Sequence, residues 1–193
     1  MLNKMKIVAI VGMTGAGKTD VARMFVEHGY EYLRFGQVVI DEVKRRGLEL
    51  NEKNERFVRE KLRAEHGMAA MAKFLIPKFD SLLKKNNVVA DGLYSWEEYT
   101  LLKDRYGEKL IVLAIYTKPP IRYKRLADRK YDPNKDKKAA YRPTTLEESR
   151  SRDYAEIVNS HKAGPIAMAD FTIINEGSKK ELREKVEEFI KKI

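Results

Sequence analysis

The 193-residue chain contains no cysteine, which excludes a disulfide framework, a thiolate metal site and a cysteine nucleophile. Its three histidines, His28, His66 and His161, are scattered along the sequence and offer no metal-ligand spacing. No run of about 20 apolar residues is present to cross a bilayer, and no apolar leader-type stretch precedes the first strand pattern. No membrane partner is therefore expected, and a cytoplasmic protein is. Internal repeats and low-complexity tracts are also missing. At this length the chain reads as a single domain, residues 1–193, able to bury a core without staples.

Charge, by contrast, is abundant. Thirty-nine basic and twenty-nine acidic residues give a formal net charge of +10, and charged residues make up 35% of the chain. Two readings of this remain open: attraction of phosphorylated ligands or RNA, and the ion-pair-rich surface of a heat-adapted protein.

The run Gly12-Met13-Thr14-Gly15-Ala16-Gly17-Lys18-Thr19 is a complete Walker A phosphate loop. Before it, Lys6 to Val11 reads as a buried strand; after it, Val21, Met24 and Phe25 fall at the spacing of a helix face. The chemistry requires this order. Main-chain N–H groups at a helix start enclose the phosphates, and glycines keep side chains out of the way. Lys18 is then expected to reach the β- and γ-phosphates of ATP, and the Thr19 hydroxyl to take one position on an Mg ion.

Strand and helix patterns alternate along the rest of the chain, predicting an α/β fold with a parallel sheet covered on both faces. Strands are expected at 30–35, 88–90, 109–115 and 169–174, with 109–115, the most apolar, near the sheet centre. Helices are expected at 36–46, ending at Gly47; as one or two helices over 52–84 with a kink at Pro77; at 95–106; from Pro119 and Pro120 through Arg129; from a Thr144 or Thr145 cap to His161; and after Ser178. Residues 130–144 are polar, basic and proline-punctuated, and predict an exposed segment.

A phosphate loop alone does not choose between a kinase, a GTPase and a motor. A guanine-reading Asn-Lys-x-Asp is missing: Asn134-Lys135-Asp136-Lys137 lacks the final Asp. Asp91 closes a strand, where carboxylates of open α/β sheets reach the ligand crevice, and is a candidate for holding the metal or orienting substrate. Arg122, Arg125 and Arg129 recur at helical spacing, with Arg142, Arg150 and Arg152 beyond. Guanidiniums on a closing flap would stabilise the charge of a moving phosphoryl group.

With these motifs the chain resembles the nucleoside-monophosphate-kinase-like group of P-loop kinases, and most closely dephospho-coenzyme A kinase and its archaeal relatives. The resemblance is carried by Gly12 to Thr19, Asp91-Gly92, Arg125-Leu126-x-x-Arg129, Arg152-Asp153-x-x-Glu156 and the run from Ala169 to Ser178. It implies a three-layer P-loop fold with a five-stranded parallel sheet, a helical acceptor-binding region at about 36–85 and a lid at about 126–152. It also implies transfer of the ATP γ-phosphoryl group to a phosphate or hydroxyl acceptor, a nucleotide or a coenzyme A precursor. Lys18, Asp91, Arg125, Arg129 and Arg152 are its catalytic candidates, and Thr19 with Asp91 its metal ligands. The loop from Gly12 to Thr19, with Asn175 and Gly177 on the adenine side, is its nucleotide site.

One element of the pattern is missing. Kinases of this group carry Gly-Asp-x-x-Arg after the second strand, with the arginine on the acceptor phosphate; here the run is Gly36-Gln37-Val38-Val39-Ile40. Arg59 and Arg63, with Arg34, are candidates to replace it. Whether Asp41 or Asp91 serves as a base stays open, as do two other readings: a P-loop ATPase or switch acting on RNA or a protein partner, and a non-catalytic relative.

Overall fold

The computed structural model describes residues 5–130 and 143–193. Five strands form one all-parallel sheet: β1 (Ile7–Val11), β2 (Glu31–Arg34), β3 (Val88–Asp91), β4 (Leu110–Tyr116) and β5 (Phe171–Ile174), in the order β2-β3-β1-β4-β5. β1 is therefore the middle strand, with all five of its residues buried, and β4 lies beside it, near the sheet centre as expected. The apolar richness of β4 reflects its place beside β1, where it is covered on both faces.

Successive strand residues point to opposite faces, and the two cores follow that alternation. Ile7, Ala9 and Val11 pack with α2 (Phe35–Arg45), α3 (Glu52–His66), α4 (Ala70–Leu82) and α5 (Trp96–Tyr106). Val8 and Ile10 pack with α1 (Lys18–Glu27) and α9 (Lys179–Lys192) on the other side. The result is a three-layer α/β fold. The helices expected over 36–85 form a single block on one face of the sheet.

Several boundaries differ from expectation for local reasons. The helical stretch 52–84 is divided at Gly67, whose φ of 83° ends α3, whereas Pro77 lies inside α4 without ending it. α6 (Pro119–Ala127) stops two residues before Arg129, at an Asp128 cap. α7 (Leu146–Ser160) opens with a capping box of Thr145 and Glu148; Thr144 instead pairs with the Ser149 hydroxyl at 2.8 Å. A short helix, α8 (Ala163–Ala167), had no periodic signal and was not expected. β5 starts at Phe171, two residues later than expected; just before it Asp170 accepts from the Val112 amide through its carboxylate at 2.7 Å and donates its own amide to the Val112 carbonyl at 2.9 Å.

The basic stretch 131–142, with Arg142 and the middle of the expected lid, lies outside the described residues. Among the described residues no helix is long and apolar enough to cross a membrane.

Candidate active site

All strands run in one direction, so the carboxyl ends of β1, β3, β4 and β5 gather at one edge of the sheet, the usual place for a ligand crevice. The loop from Gly12 to Gly17 leaves β1 there and leads into α1. Gly12, Gly15 and Gly17 have φ of 140°, 84° and 98°, values that favour glycine. Space matters as much as conformation. A Cβ on Gly12 would strike the Ile115 carbonyl, and one on Gly17 the side-chain amide of Asn175.

Protein donors take up the loop's carbonyl groups. Arg122 Nη1 donates to the Thr14 carbonyl at 3.0 Å, Asn175 Nδ2 to that of Ala16 at 2.8 Å, and Lys18 Nζ to that of Met13 at 3.1 Å. With its carbonyls engaged in this way, the loop has the form of a cradle for an anion at the start of a helix. Thr117 Oγ1 donates to the Asn175 carbonyl at 2.8 Å, tying β4 and β5 behind the loop.

Beside this cradle, Thr19 Oγ1 donates to Asp91 Oδ2 at 3.2 Å, and the Tyr32 hydroxyl to the same oxygen at 3.1 Å. Asp91 is buried. Burial, and then the nearby ammonium of Lys162, push Lys18 down to about 7, against the raising effect of Asp91 and Glu156.

Glu156 on α7 collects four donors at the loop's edge. Its Oε1 accepts from Thr14 Oγ1 at 2.9 Å, Tyr94 OH at 2.6 Å and Arg152 Nε at 2.9 Å; its Oε2 accepts from Lys162 Nζ at 2.6 Å. Despite burial, Lys162 and Arg152 hold its carboxyl far below the usual carboxylate range. Lys162 is itself buried, with Nζ 4.0 Å from the centre of the Tyr94 ring. Arg152 and Glu156 belong to the Arg152-Asp153-x-x-Glu156 run that carries the resemblance; Lys162 and Tyr94 carried no sequence signal.

The arginines of α6 diverge rather than forming one flap face. Arg122 is buried in a bidentate pair with Asp153, at 3.0 and 2.6 Å, which joins α6 to α7. Arg125 donates to the Asn175 carbonyl at 3.0 Å, behind the loop. Arg129 lies beyond the helix end. Gly177 sits against the Glu181 carboxylate at the head of α9, and Asp41 is exposed on α2, accepting from Gln37 at 2.7 Å.

On the α3 side, Arg63 Nη1 donates to Ser160 Oγ at 3.1 Å. Desolvation lowers the Arg63 pKa, with Glu98 the first charge to oppose it and Arg59 adding to the fall. Glu98 is fully buried, accepting from the Tyr94 and Ser95 amides through Oε2, and burial pushes its carboxyl up to about 7.

Residues 8–159 match the AAA domain family. Over 190 residues the chain is 35% identical to a UPF0200 protein of Thermococcus onnurineus, covering 97% of each chain. In fold it is similar to a shikimate kinase from Acinetobacter baumannii, with a TM-score of 0.59, 22% identity, and coverage of 96% of this chain and 93% of that one. A sugar kinase from Janibacter sp. aligns with a TM-score of 0.56 and 14% identity over 97% of this chain and 95% of that one. The fold is thus that of P-loop small-molecule kinases, and the chain belongs to the UPF0200 family.

Proposed function

We propose that the protein is an ATP- and magnesium-dependent phosphotransferase that moves the γ-phosphoryl group to a small-molecule acceptor. The observation that carries this reading is the glycine loop, whose Gly12 and Gly17 pack against the Ile115 carbonyl and the Asn175 amide with no room for a Cβ, with Lys18 and Thr19 following it at the start of α1. Its likeness in fold to small-molecule kinases adds support, and the sequence resemblance favours a nucleotide or a coenzyme A precursor as acceptor.

In this reading the loop amides and Lys18 hold the triphosphate. Thr19 and Asp91 fit a magnesium ion, since they bring hard oxygen donors together at 3.2 Å, and such an ion takes one or two protein oxygens with phosphate and water completing its shell. Among the described residues no group of three or more acidic or histidine side chains forms a separate metal cage. When bound, the ion neutralises charge on the phosphates. Arg152 and Lys162 stand at the loop's edge as cations for the transferring group, and Arg122 holds α6, α7 and the Thr14 carbonyl in register. Asn175 and Arg125 shape the back of the site.

The test is transfer from labelled ATP to a panel of nucleotides, coenzyme A precursors, sugars and hydroxylated acids, with Lys18→Ala as control. The reading expects one acceptor class to be labelled by the wild type and none by the variant. Labelling of nothing, together with ATP hydrolysis accelerated by RNA, would replace it with the ATPase or switch reading.

A further inference from the structure

Helix α7 is turned the opposite way from an ordinary surface helix. Its buried residues, Ser149, Asp153 and Glu156, are all polar, with Asp153 paired to Arg122 and Glu156 to Thr14 of the phosphate loop. Its large apolar residues face out: Leu146, Tyr154, Ile157 and Val158 are 65%, 61%, 46% and 66% exposed. Arg150 is exposed among them, its guanidinium 5.9 Å from the centre of the Tyr154 ring. Steps of three and four residues place all five on one side of the helix, over about three turns. A surface helix normally buries its apolar side and gives its polar side to water. Apolar residues exposed singly are ordinary, but a continuous stripe of them marks a surface that meets a partner.

From this inversion we infer that the outer side of α7 is an interface between two copies of this chain, with the two helices antiparallel about a twofold axis level with residue 152. The inference goes beyond the phosphotransfer reading and does not depend on it.

The spacing of the stripe selects a second copy as the occupant. Leu146 and Val158 lie equally far on either side of residue 152, and so do Arg150 and Tyr154. An antiparallel pair therefore sets Leu146 of each copy level with Val158 of the other, and Arg150 level with Tyr154. Apolar meets apolar and a guanidinium meets an aromatic ring, each twice, as an isologous contact requires. Opposite ends of the two helix dipoles also come together.

Charge points the same way. The chain carries +10, yet the charged members of this stripe are one acid, Glu147, and one base, Arg150. A neutral stripe does not draw in a polyanion such as RNA, and it lets two like-charged copies meet without local repulsion. The 15 residues of α7 make a face about 22 Å long, small beside the roughly 800 Å² that each partner buries in a standard interface. The dimer is therefore a weak one, formed at high protein concentration. The reverse of the same helix brings Arg152 and Glu156 to the phosphate loop, so the second copy braces that helix from outside.

Because the chain has no cysteine, Leu146→Cys and Val158→Cys each introduce a single reactive thiol. The two variants are treated with a short bis-maleimide, separately and as a mixture. Positions 146 and 158 face each other in the antiparallel pair, whereas two copies of position 146 stand about 18 Å apart, twelve residues of helix rise. The expected result is a cross-linked dimer in the mixture and little in either variant alone. Sedimentation equilibrium of the wild type at up to about 1 mM should show a reversible dimer. Val158→Glu should weaken it by at least about tenfold, since it sets a charge against apolar surface. The variant's Tm should stay within about 2 °C of wild type, as for an ordinary surface substitution. Added salt should strengthen the dimer by screening the repulsion between two positive chains.

A monomer at every concentration would overturn the inference. So would cross-linking of Leu146→Cys to itself as readily as in the mixture, or association that needs RNA and weakens with salt.

Discussion

Thr19 and Asp91 meet across the carboxyl edge of the sheet, the hydroxyl donating to the carboxylate at 3.2 Å. The contact joins the first turn of α1 to the last residue of β3. Replacing Asp91 with Ala removes the carboxylate proposed to share the metal and leaves the Thr19 and Tyr32 hydroxyls without it. The expected outcome is a loss of about 100-fold or more in kcat, of the size seen when one preorganised polar group is removed from an active site. Turnover across a magnesium titration checks this.

Lys18 gives a pH signature. Its ordinary pKa of 10.5 falls to about 7 in the folded, ligand-free protein. Between those values the unfolded chain holds a proton that the folded chain has released, so this group's contribution to stability rises with pH across the window and is least favourable below about 7. Lys18→Met is therefore expected to raise Tm near pH 6.5 by about 2 to 4 °C, equivalent to about 1 kcal/mol. The gain should shrink toward pH 10. Scanning calorimetry of both proteins across pH measures it.

The same shift predicts proton uptake when the nucleotide binds. Anionic phosphates favour the charged ammonium, so at pH 8 binding should draw a proton from the buffer. Titration calorimetry in two buffers of different ionisation enthalpy should give different heats. Identical heats would contradict the placement of Lys18 against phosphate.

Arg122 and Asp153 form a buried bidentate pair, and breaking such a pair from one side leaves an uncompensated charge. Asp153→Asn is expected to cost about 3 kcal/mol or more in urea unfolding. Nucleotide affinity should fall with it, because Arg122 also holds the Thr14 carbonyl.

Gly12→Ala and Gly17→Ala place a Cβ against a backbone carbonyl and against the Asn175 amide, each at a positive φ. Each should destabilise by more than about 1 kcal/mol. Gly29 also has positive φ but open space around it, so Gly29→Ala should cost less. Chemical denaturation of the three variants separates conformational strain from collision.

Local chemistry made much of this legible in advance. The glycine spacing located the cradle; alternating β-branched runs located the strands; Ser95, Thr145 and Ser178, each with a glutamate three residues on, located three helix starts. What sequence spacing does not record is which side chains from distant elements meet. Arg122, Arg125 and Arg129 looked equivalent at helical spacing, yet Arg122 turns to α7, Arg125 to the loop after β5, and Arg129 falls outside the helix. Tyr94 reaches Glu156 from 62 residues away and Lys162 from six residues on, past the end of α7, with no motif to mark either. β4 does lie near the sheet centre, beside the middle strand β1; hydrophobicity reports burial on both faces, a property the two strands share, and does not say which of them is the middle.

The central claim is that the loop from Gly12 to Thr19, with Lys18, holds the phosphates of ATP. Titration of ATP with magnesium into the wild type and into Lys18→Ala tests it most directly. The account predicts one site per chain in the wild type, weakened at least about tenfold in the variant, as loss of a charge-assisted hydrogen bond worth about 1.5 to 3 kcal/mol requires. Equal affinity in the two proteins, or no binding in the wild type, would contradict it.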